Sequence, residues 1–367
     1  MAAISLCMIV KNEEDVLARC LESAKPVVDE IVIIDTGSTD RTKEIASQYT
    51  SKVYDFTWQD DFSAARNESF ARAEKDYCLW LDADDLIPES SLGEWLRLKE
   101  QLGKSGYCAD VVMAPYHIAF DPADGSPAFS YYRERLLRRE AGFQWFGRVH
   151  EVIIPSGNIV YTEAAVEHRK EKPRDSDRNL RIYQKVLSEG GGLDARQRYY
   201  YARELMEHKA YAEAQKEFLQ VLSAESGWIE NRLDACRCLA VCLYAQGKEK
   251  EALASLLWGL SYDLPRAELC CDLGNHFLKR EDWEKAAYWY QQALEARRDD
   301  KRGAFILEDC YGYLPCIQLC VCYDRLGNKI KAEEYNEMAG KYKPDSPEYQ
   351  YNKAYFERAG LKKEEDS

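Results

Sequence analysis

The sequence predicts a two-domain chain: an α/β domain built on a mostly parallel sheet, followed by an all-α array of helical repeats. Three observations carry this expectation. Short apolar runs alternate with helix-length amphipathic segments up to about residue 170. After Gly190-Gly191-Gly192 nearly every segment has helical periodicity, and small residues recur there at constant offsets. An apolar content of 46% in 367 residues is enough for more than one core.

Residues 4–10 form a continuous apolar run, the pattern of a strand buried on both faces. Residues 13–24 place Val16, Leu17, Cys20 and Leu21 on one helical stripe, with Asn12 as the expected cap. Residues 30–35 are a second buried strand, and Gly37-Ser38-Thr39-Asp40 turns into a helix over 41–49. A strand at 52–58, a helix at 63–73 and a strand at 77–81 follow. Strands joined through helices of this length make right-handed parallel crossovers. Residues 110–120 and 131–139 pair around a turn at 122–127, and 143–154 and 159–166 are two more strands. The first domain is expected to fill residues 1–170.

Residues 171–195 read as a helical linker, 196–358 as the repeat domain and 359–367 as a charged tail. The set Ala202, Leu205, Ala214, Phe218 is repeated as Ala240, Leu243, Ala252, Leu256. It returns as Gly274, Phe277, Ala286, Tyr290 and as Cys320, Tyr323, Ala332, Asn336. Small residues let paired helices approach, and large ones fill between them. From Ala214 the alanines step by 38, 34 and 46 residues to Ala252, Ala286 and Ala332, so an insertion is expected around 297–309. This pattern resembles the tetratricopeptide repeat, which implies a solenoid with a concave binding face. Trp228, Trp258, Trp283, Trp289 and the Tyr199–Tyr201 run would line it or fill its core.

The net charge of −14 argues against nucleic acid or an anionic membrane as the main partner. Of thirteen cysteines, nine lie between Cys236 and Cys322 without the spacing of a zinc site. They read as packed free thiols of a reducing compartment. No apolar run reaches the length of a membrane span, and the first strand lacks the marks of a signal peptide. A soluble, cytoplasmic protein is expected.

The chemistry concentrates in Leu79-Trp80-Leu81-Asp82-Ala83-Asp84-Asp85, where a buried strand ends in three acids. Carboxylates this close repel one another, and a divalent cation relieves them and can grip a diphosphate. Met8-Ile9-Val10-Lys11-Asn12-Glu13-Glu14 and Ile33-Ile34-Asp35-Thr36-Gly37-Ser38-Thr39-Asp40 also end strands in polar residues. Each of these alone is explained by capping and turns. Lys-Asn-Glu-Glu, Asp-Thr-Gly-Ser-Thr-Asp-Arg-Thr, Asp-Asp-Phe-Ser-Ala-Ala-Arg-Asn (60–67) and Trp-Leu-Asp-Ala-Asp-Asp come in this order at successive strand ends. The series, over residues 4–170, resembles family 2 glycosyltransferases of the GT-A fold, a Rossmann-like architecture. With its helical tail it is similar to a bacterial subgroup that includes the peptide S-glycosyltransferases of glycocins.

The resemblance implies a nucleotide-diphospho-sugar donor, commonly a UDP-sugar, and Mn²⁺ or Mg²⁺. Val10, Lys11, Asn12, Glu13, Asp35 and Gly37 would form the nucleoside pocket, and Asp61 would contact the base. Arg66 and Asn67 would face the diphosphate. Asp82 and Ala83 would touch ribose or donor sugar, and Asp84, with Asp82 and His168, would hold the metal. Asp85 is a catalytic candidate acting as support for the metal. A direct displacement also needs a base, and Phe146-Gly147-Arg148-Val149-His150-Glu151 offers Glu151, with His150 as the alternative. On a strand these two neighbours would point to opposite faces. Arg133, Arg135 and Arg138 are further candidates to meet the diphosphate.

The acceptor is expected to be a peptide Cys or Ser/Thr held in the helical-repeat groove. A cell-surface or lipid-linked glycan is the alternative within the class, and oligomeric state, a homodimer included, is left open. A non-catalytic scaffold with a degenerate first domain and a nucleotidyltransferase are the rival classes. The intact acidic run opposes the first, and the lack of glycine in Met8–Glu14 opposes the second.

Overall fold

A computed structural model describes residues 1–104, 106–122, 125–169, 177–300, 303 and 305–358. The expected tail, 359–367, the last residue of the expected first domain, 170, and the start of the expected linker, 171–176, lie outside the described residues. The chain divides into two compact units. One holds Met1–Ala119 with Ser130–Gln197, the other Phe120–Phe129 with the residues from Arg198 on.

The first unit is organised around β1 (Ile4–Val10), whose residues are buried apart from half-buried Ile9. It pairs in parallel with β2 (Glu30–Asp35) on one side and β4 (Tyr77–Trp80) on the other, and β3 (Val53–Asp55) extends β2. Helices α1 (Leu17–Ala24), α2 (Thr42–Ser47) and α3 (Phe62–Ala71) make the crossovers. α1 buries Leu17, Cys20, Leu21 and Ala24, an i, i+3, i+4, i+7 stripe that fixes its inner face. It begins later than residue 13 because 13–16 form a turn, in which Leu17 N–H donates to the Glu13 carbonyl. Asn12 does not cap it. Its backbone is left-handed (φ 56°), which sends the side chain across to Thr39 instead.

Beyond β4 the sheet continues with strands of mixed direction. After β5 (Asp85–Leu86) and α4 (Glu89–Leu102), the long β6 (Val111–Phe120) turns into β7 (Pro127–Arg138), which runs antiparallel to β4. β8 (Trp145–Phe146) and β9 (Val152–Ile153) form a separate small hairpin. β10 (Ile159–Tyr161) and β11 (Val166–His168) both lie parallel to β6, and the sheet order is β3-β2-β1-β4-β7-β6-β11-β5. One core packs β1 and its neighbours against α1 and α4, where Trp95 is fully buried and donates its indole N–H to the Ala165 carbonyl at 3.1 Å. The expected single strand over 143–154 is thus a hairpin. Gly147 (φ 95°) and His150 (φ 50°) take left-handed backbone conformations that a strand cannot contain. Helix α5 (Arg178–Ser188) also belongs to this unit.

From α6 (Ala195–Glu207) the described residues are mostly helical, with one short strand, β12 (Ile306–Leu307). α7 (Tyr211–Ser223), α8 (Ile229–Ala245), α9 (Glu249–Trp258), α10 (Ala267–Leu278), α11 (Trp283–Glu295), α12 (Tyr313–Arg325), α13 (Lys329–Tyr342) and α14 (Pro347–Arg358) follow. The small residues of the repeat pattern are its close contacts: Ala202, Ala214, Ala240, Ala252, Ala286 and Ala332 are all buried. At Gly274 a Cβ would stand 2.8 Å from the Tyr290 ring, so the crossing of α10 and α11 requires glycine. In the insertion before α12, the Glu268 carboxylate accepts from Leu307 N–H at 3.0 Å and from the Tyr311 hydroxyl at 3.1 Å. Of the aromatic residues expected in a groove, Trp228 and Trp258 are exposed, Trp283 and Trp289 are half-buried, and Tyr199 is core. Twelve of the thirteen free cysteines are buried and Cys108 is exposed. Among the described residues no helix is long and apolar enough to cross a membrane.

Candidate active site

The strand order reverses between β1 and β4, and at such a switch point the carboxyl ends of the strands open a crevice. The loops after β1 and β2 are laced together at its rim. Asn12 N–H donates to Ser38 Oγ at 2.9 Å, and the Asn12 side-chain oxygen accepts from Thr39 N–H at 2.8 Å. Glu13 N–H donates to Thr42 Oγ1 at 2.7 Å, while the Val10 carbonyl accepts from Thr36 N–H at 3.0 Å. Asp35 is buried beneath this lacing. Its Oδ1 accepts from Gly37 and Ser38 N–H at 3.0 and 2.9 Å, and its Oδ2 is buried with no hydrogen-bond partner. Lys11 and Gly37 are exposed above it.

The three acids after β4 have three different surroundings. Asp82 Oδ1 accepts from Arg66 Nη2 at 2.7 Å, and that pairing outweighs burial to hold its carboxyl well below the usual range. Asp85 has no exposure. Its Oδ1 accepts from the Tyr116 hydroxyl at 2.7 Å and faces His168 Nδ1 at 3.2 Å. Its Oδ2 accepts from Arg135 Nη1 at 3.0 Å and from Asp82 N–H at 3.1 Å. Asp84 has no arginine. Among the described residues its one charged partner is His168, whose Nδ1 lies 3.4 Å away. Burial, helped by the like charges of Asp82 and Asp85, raises the Asp84 carboxyl against the pull of His168. For His168 burial works against the charge, but the Asp85 hydrogen bond and the charge of Asp84 prevail and raise its pKa. Ala83 is buried within the turn.

His168 is 84 residues away from Asp84, and β-pairing brings it there. β11 runs antiparallel to β5 with His168 opposite Asp85, and Arg169 N–H donates to the Asp84 carbonyl at 2.8 Å. Ligand atoms of Asp84, Asp85 and His168 come within 4.8 Å of one another. A carboxylate with an imidazole is a donor set that suits Mn²⁺ and, through oxygen and water, Mg²⁺. Asp85 already accepts from the Tyr116 hydroxyl, Arg135 Nη1 and Asp82 N–H, which leaves Asp84 and His168 as the groups that fit a divalent ion.

Arg66 sits between the rings of Trp80 and Trp145, 5.2 and 4.8 Å from their centroids. Besides Asp82, its Nε donates to Glu151 Oε1 at 2.5 Å, so one buried guanidinium joins the acidic turn to the candidate base. The neighbouring His150 turns elsewhere, its ring stacking on Tyr183 of α5 at 6.4 Å. The left-handed backbone at His150 makes this split, rather than the alternation of a strand. α5 also donates Lys185 Nζ to Asp60 at 2.6 Å. Asp61 caps α3, accepting from Ala64 N–H at 3.0 Å. Asn67 is occupied on both ends of its amide by the backbone of Trp145, at 2.8 and 3.0 Å, and so fixes β8. Arg133 pairs with Glu134 at 2.9 Å and Arg138 with Asp110 at 2.8 Å, while Arg135 is fully buried. Sequence reading overlooked Tyr116, whose sole signal was a polar end inside an apolar strand.

The sequence profile described as "Glycosyl transferase family 2" matches residues 5–159. A TPR repeat-containing protein of Synechococcus elongatus is 30% identical over 315 residues, which cover 83% of this chain and 70% of that protein. The SPbeta prophage-derived glycosyltransferase SunS of Bacillus subtilis is 30% identical over 151 residues, 40% of this chain and 34% of its own. The lipopolysaccharide core biosynthesis glycosyltransferase LpsC of Rhizobium meliloti is 31% identical over 167 residues, 42% of this chain and 58% of its own. With the matched residues carrying the crevice, the acidic turn and most of the α/β unit, and with a relative that spans the helical repeats as well, the chain belongs to the family 2 glycosyltransferases that carry C-terminal tetratricopeptide-like repeats.

Proposed function

We propose that the enzyme moves a sugar, with inversion, from a nucleotide-diphospho-sugar, a UDP-sugar, to a Cys or Ser/Thr side chain of a peptide, using Mn²⁺ or Mg²⁺. The observation that carries this reading is the unequal treatment of the acids: Asp82 and Asp85 each have an arginine, and Asp84 has none. Asp84 and His168 would hold the ion. When bound, it would stabilise the negative charge of the departing diphosphate without a proton.

The chain's own groups supply the rest. Asp35 presents an unpaired buried oxygen, which a hydroxyl or N–H of the nucleoside would satisfy. Lys11, Asn12, Glu13 and Gly37 frame that pocket, with Asp61 at its side. The acceptor attacks the anomeric carbon, its proton passes to Glu151, and the bond to the nucleoside diphosphate breaks. Arg66 orients Glu151 toward the turn that holds the donor. His150, drawn toward Tyr183, is assigned to the support of this loop. The helical repeats would hold the acceptor, since such repeats take extended polypeptide more often than sugar. The match to LpsC favours a second reading, in which the acceptor is a glycan. The buried thiols suit a reducing compartment, and we place the enzyme in the cytoplasm.

A thermal-shift screen of nucleotide sugars with and without Mn²⁺ tests the donor, because a ligand selective for the folded state raises its melting temperature. One sugar nucleotide should shift the wild type only with Mn²⁺ and fail to shift Asp84→Ala. No shift from any donor would refute the reading. Mass spectrometry of peptides incubated with the identified donor then separates a peptide acceptor from a glycan.

A further inference from the structure

Arg135 is a fully buried charged side chain in β7, and the reaction outlined above does not use it. We infer that it is a positioning residue for the acidic turn, tying together the two ends of Asp82–Asp85 so that Asp84 and His168 are set before any cation arrives. The inference rests on the reading that those two residues receive a divalent ion.

A single nitrogen makes the tie. Arg135 Nη1 donates to the carbonyl of Trp80, where β4 ends, at 3.1 Å, and to Oδ2 of Asp85, where β5 begins, at 3.0 Å. The guanidinium lies between the rings of Trp80 and Tyr116, 3.9 and 4.0 Å from their centroids. Neither Arg135 nor Asp85 has any exposure. Nε and Nη2 of Arg135 are buried with no hydrogen-bond partner. A residue kept only for packing would not carry two orphaned donors, and an apolar pair in place of such an ion pair is often as stable or more so.

What the ion pair provides is order in the turn. With Arg135 Nη1 on its Oδ2, Asp85 is held where it accepts from Asp82 N–H and from the Tyr116 hydroxyl and faces His168 Nδ1. The same group therefore holds the backbone before Asp84 and the imidazole beside it. Without the guanidinium, the Trp80 carbonyl and Asp85 Oδ2 lose their shared donor, and the turn and both candidate ligands loosen together.

The test is the Mn²⁺ affinity of the full chain, read from the EPR signal of free Mn²⁺, for wild type, Arg135→Lys and the double variant Arg135→Met/Asp85→Asn. The double variant removes both buried charges together and keeps the fold measurable if Arg135→Lys does not fold. Near-UV circular dichroism and metal-free melting identify the folded variants. The expected result is a loss of affinity of about 10- to 100-fold in folded variants. A folded variant that binds Mn²⁺ as wild type does would overturn the inference and leave the metal reading standing. A wild type that binds no Mn²⁺ would overturn the metal reading itself, and this inference with it.

Discussion

Both units bury charged side chains, and the comparison shows which burials signal chemistry. In the helical unit, Arg237 reaches Asp272 at 2.5 Å and Asp234 at 3.5 Å, and Arg266 reaches Glu230 at 2.5 Å. Tyr199 donates to Asp234 at 2.6 Å. These contacts tie alternate helices, α6 to α8 and α8 to α10 or the residue before it, and each acid named has a partner from another helix or turn. In the α/β unit the pairs converge on one turn and leave one member, Asp84, without an arginine. Buried charge by itself marks architecture, as does an acid such as Glu268 that is met by an N–H and a hydroxyl; the proposed site is distinguished by three acids gathered on one turn with one of them left without an arginine.

The sharpest way to break this contrast is Asp84→Asn. It should lower donor turnover by at least about 100-fold, as removal of a transition-state electrostatic group does, and leave melting nearly unchanged. Retained turnover in a folded Asp84→Asn protein would erase the distinction between the two kinds of burial. Arg66→Met comes next, because it strips the partner from Asp82 and Glu151 together. Urea unfolding should report a loss of about 3 kcal/mol, the low end for a broken buried pair because Asp82 still meets water. An unaltered midpoint would show that Arg66 contributes nothing to the fold.

In the helical unit, Gly274→Ala presses a methyl into Tyr290 and should destabilise by about 1–3 kcal/mol. Donor hydrolysis by the folded fraction should be unaffected, and its loss would tie the repeats to the donor step. The smallest effect concerns His276, whose pKa is lowered by burial and by nearby Arg280. The unfolded chain then binds the proton more readily than the native one. Stability is complete above the ordinary histidine pKa of 6.5 and declines as pH falls through it toward the depressed native value. Melting between pH 7.5 and 5 should fall less steeply in His276→Asn than in wild type; parallel curves would remove His276 from the account.

Much of the site was legible because strand ends carry it. Apolar runs locate β1, β2 and β4, and the polar residues that follow them must then gather at one edge. The alanine offsets did the same for the helices, since close packing tolerates few residue types. The pieces that escaped depend on conformations or partners distant in the chain. Nothing in Gly147–Glu151 announces that His150 adopts a left-handed backbone, which decides where its ring and the carboxylate of its neighbour Glu151 point. Asn12 carries the signature of a cap, yet the tertiary lacing to Thr39 claims it. Arg135 looks like a surface cation among arginines until β5 and β4 are known to meet beside it.

The pairing of β11 with β5 also bears on how the enzyme can be cut. The family's recognisable sequence stops at residue 159, nine residues short of His168 and well before α5. A fragment trimmed to that limit would forfeit β11, which joins β5 to β6, and the helix whose Lys185 grips Asp60, leaving β5 without its partner. An excised catalytic piece should therefore run on through Gln197, and shorter ones are expected to aggregate rather than to report on chemistry.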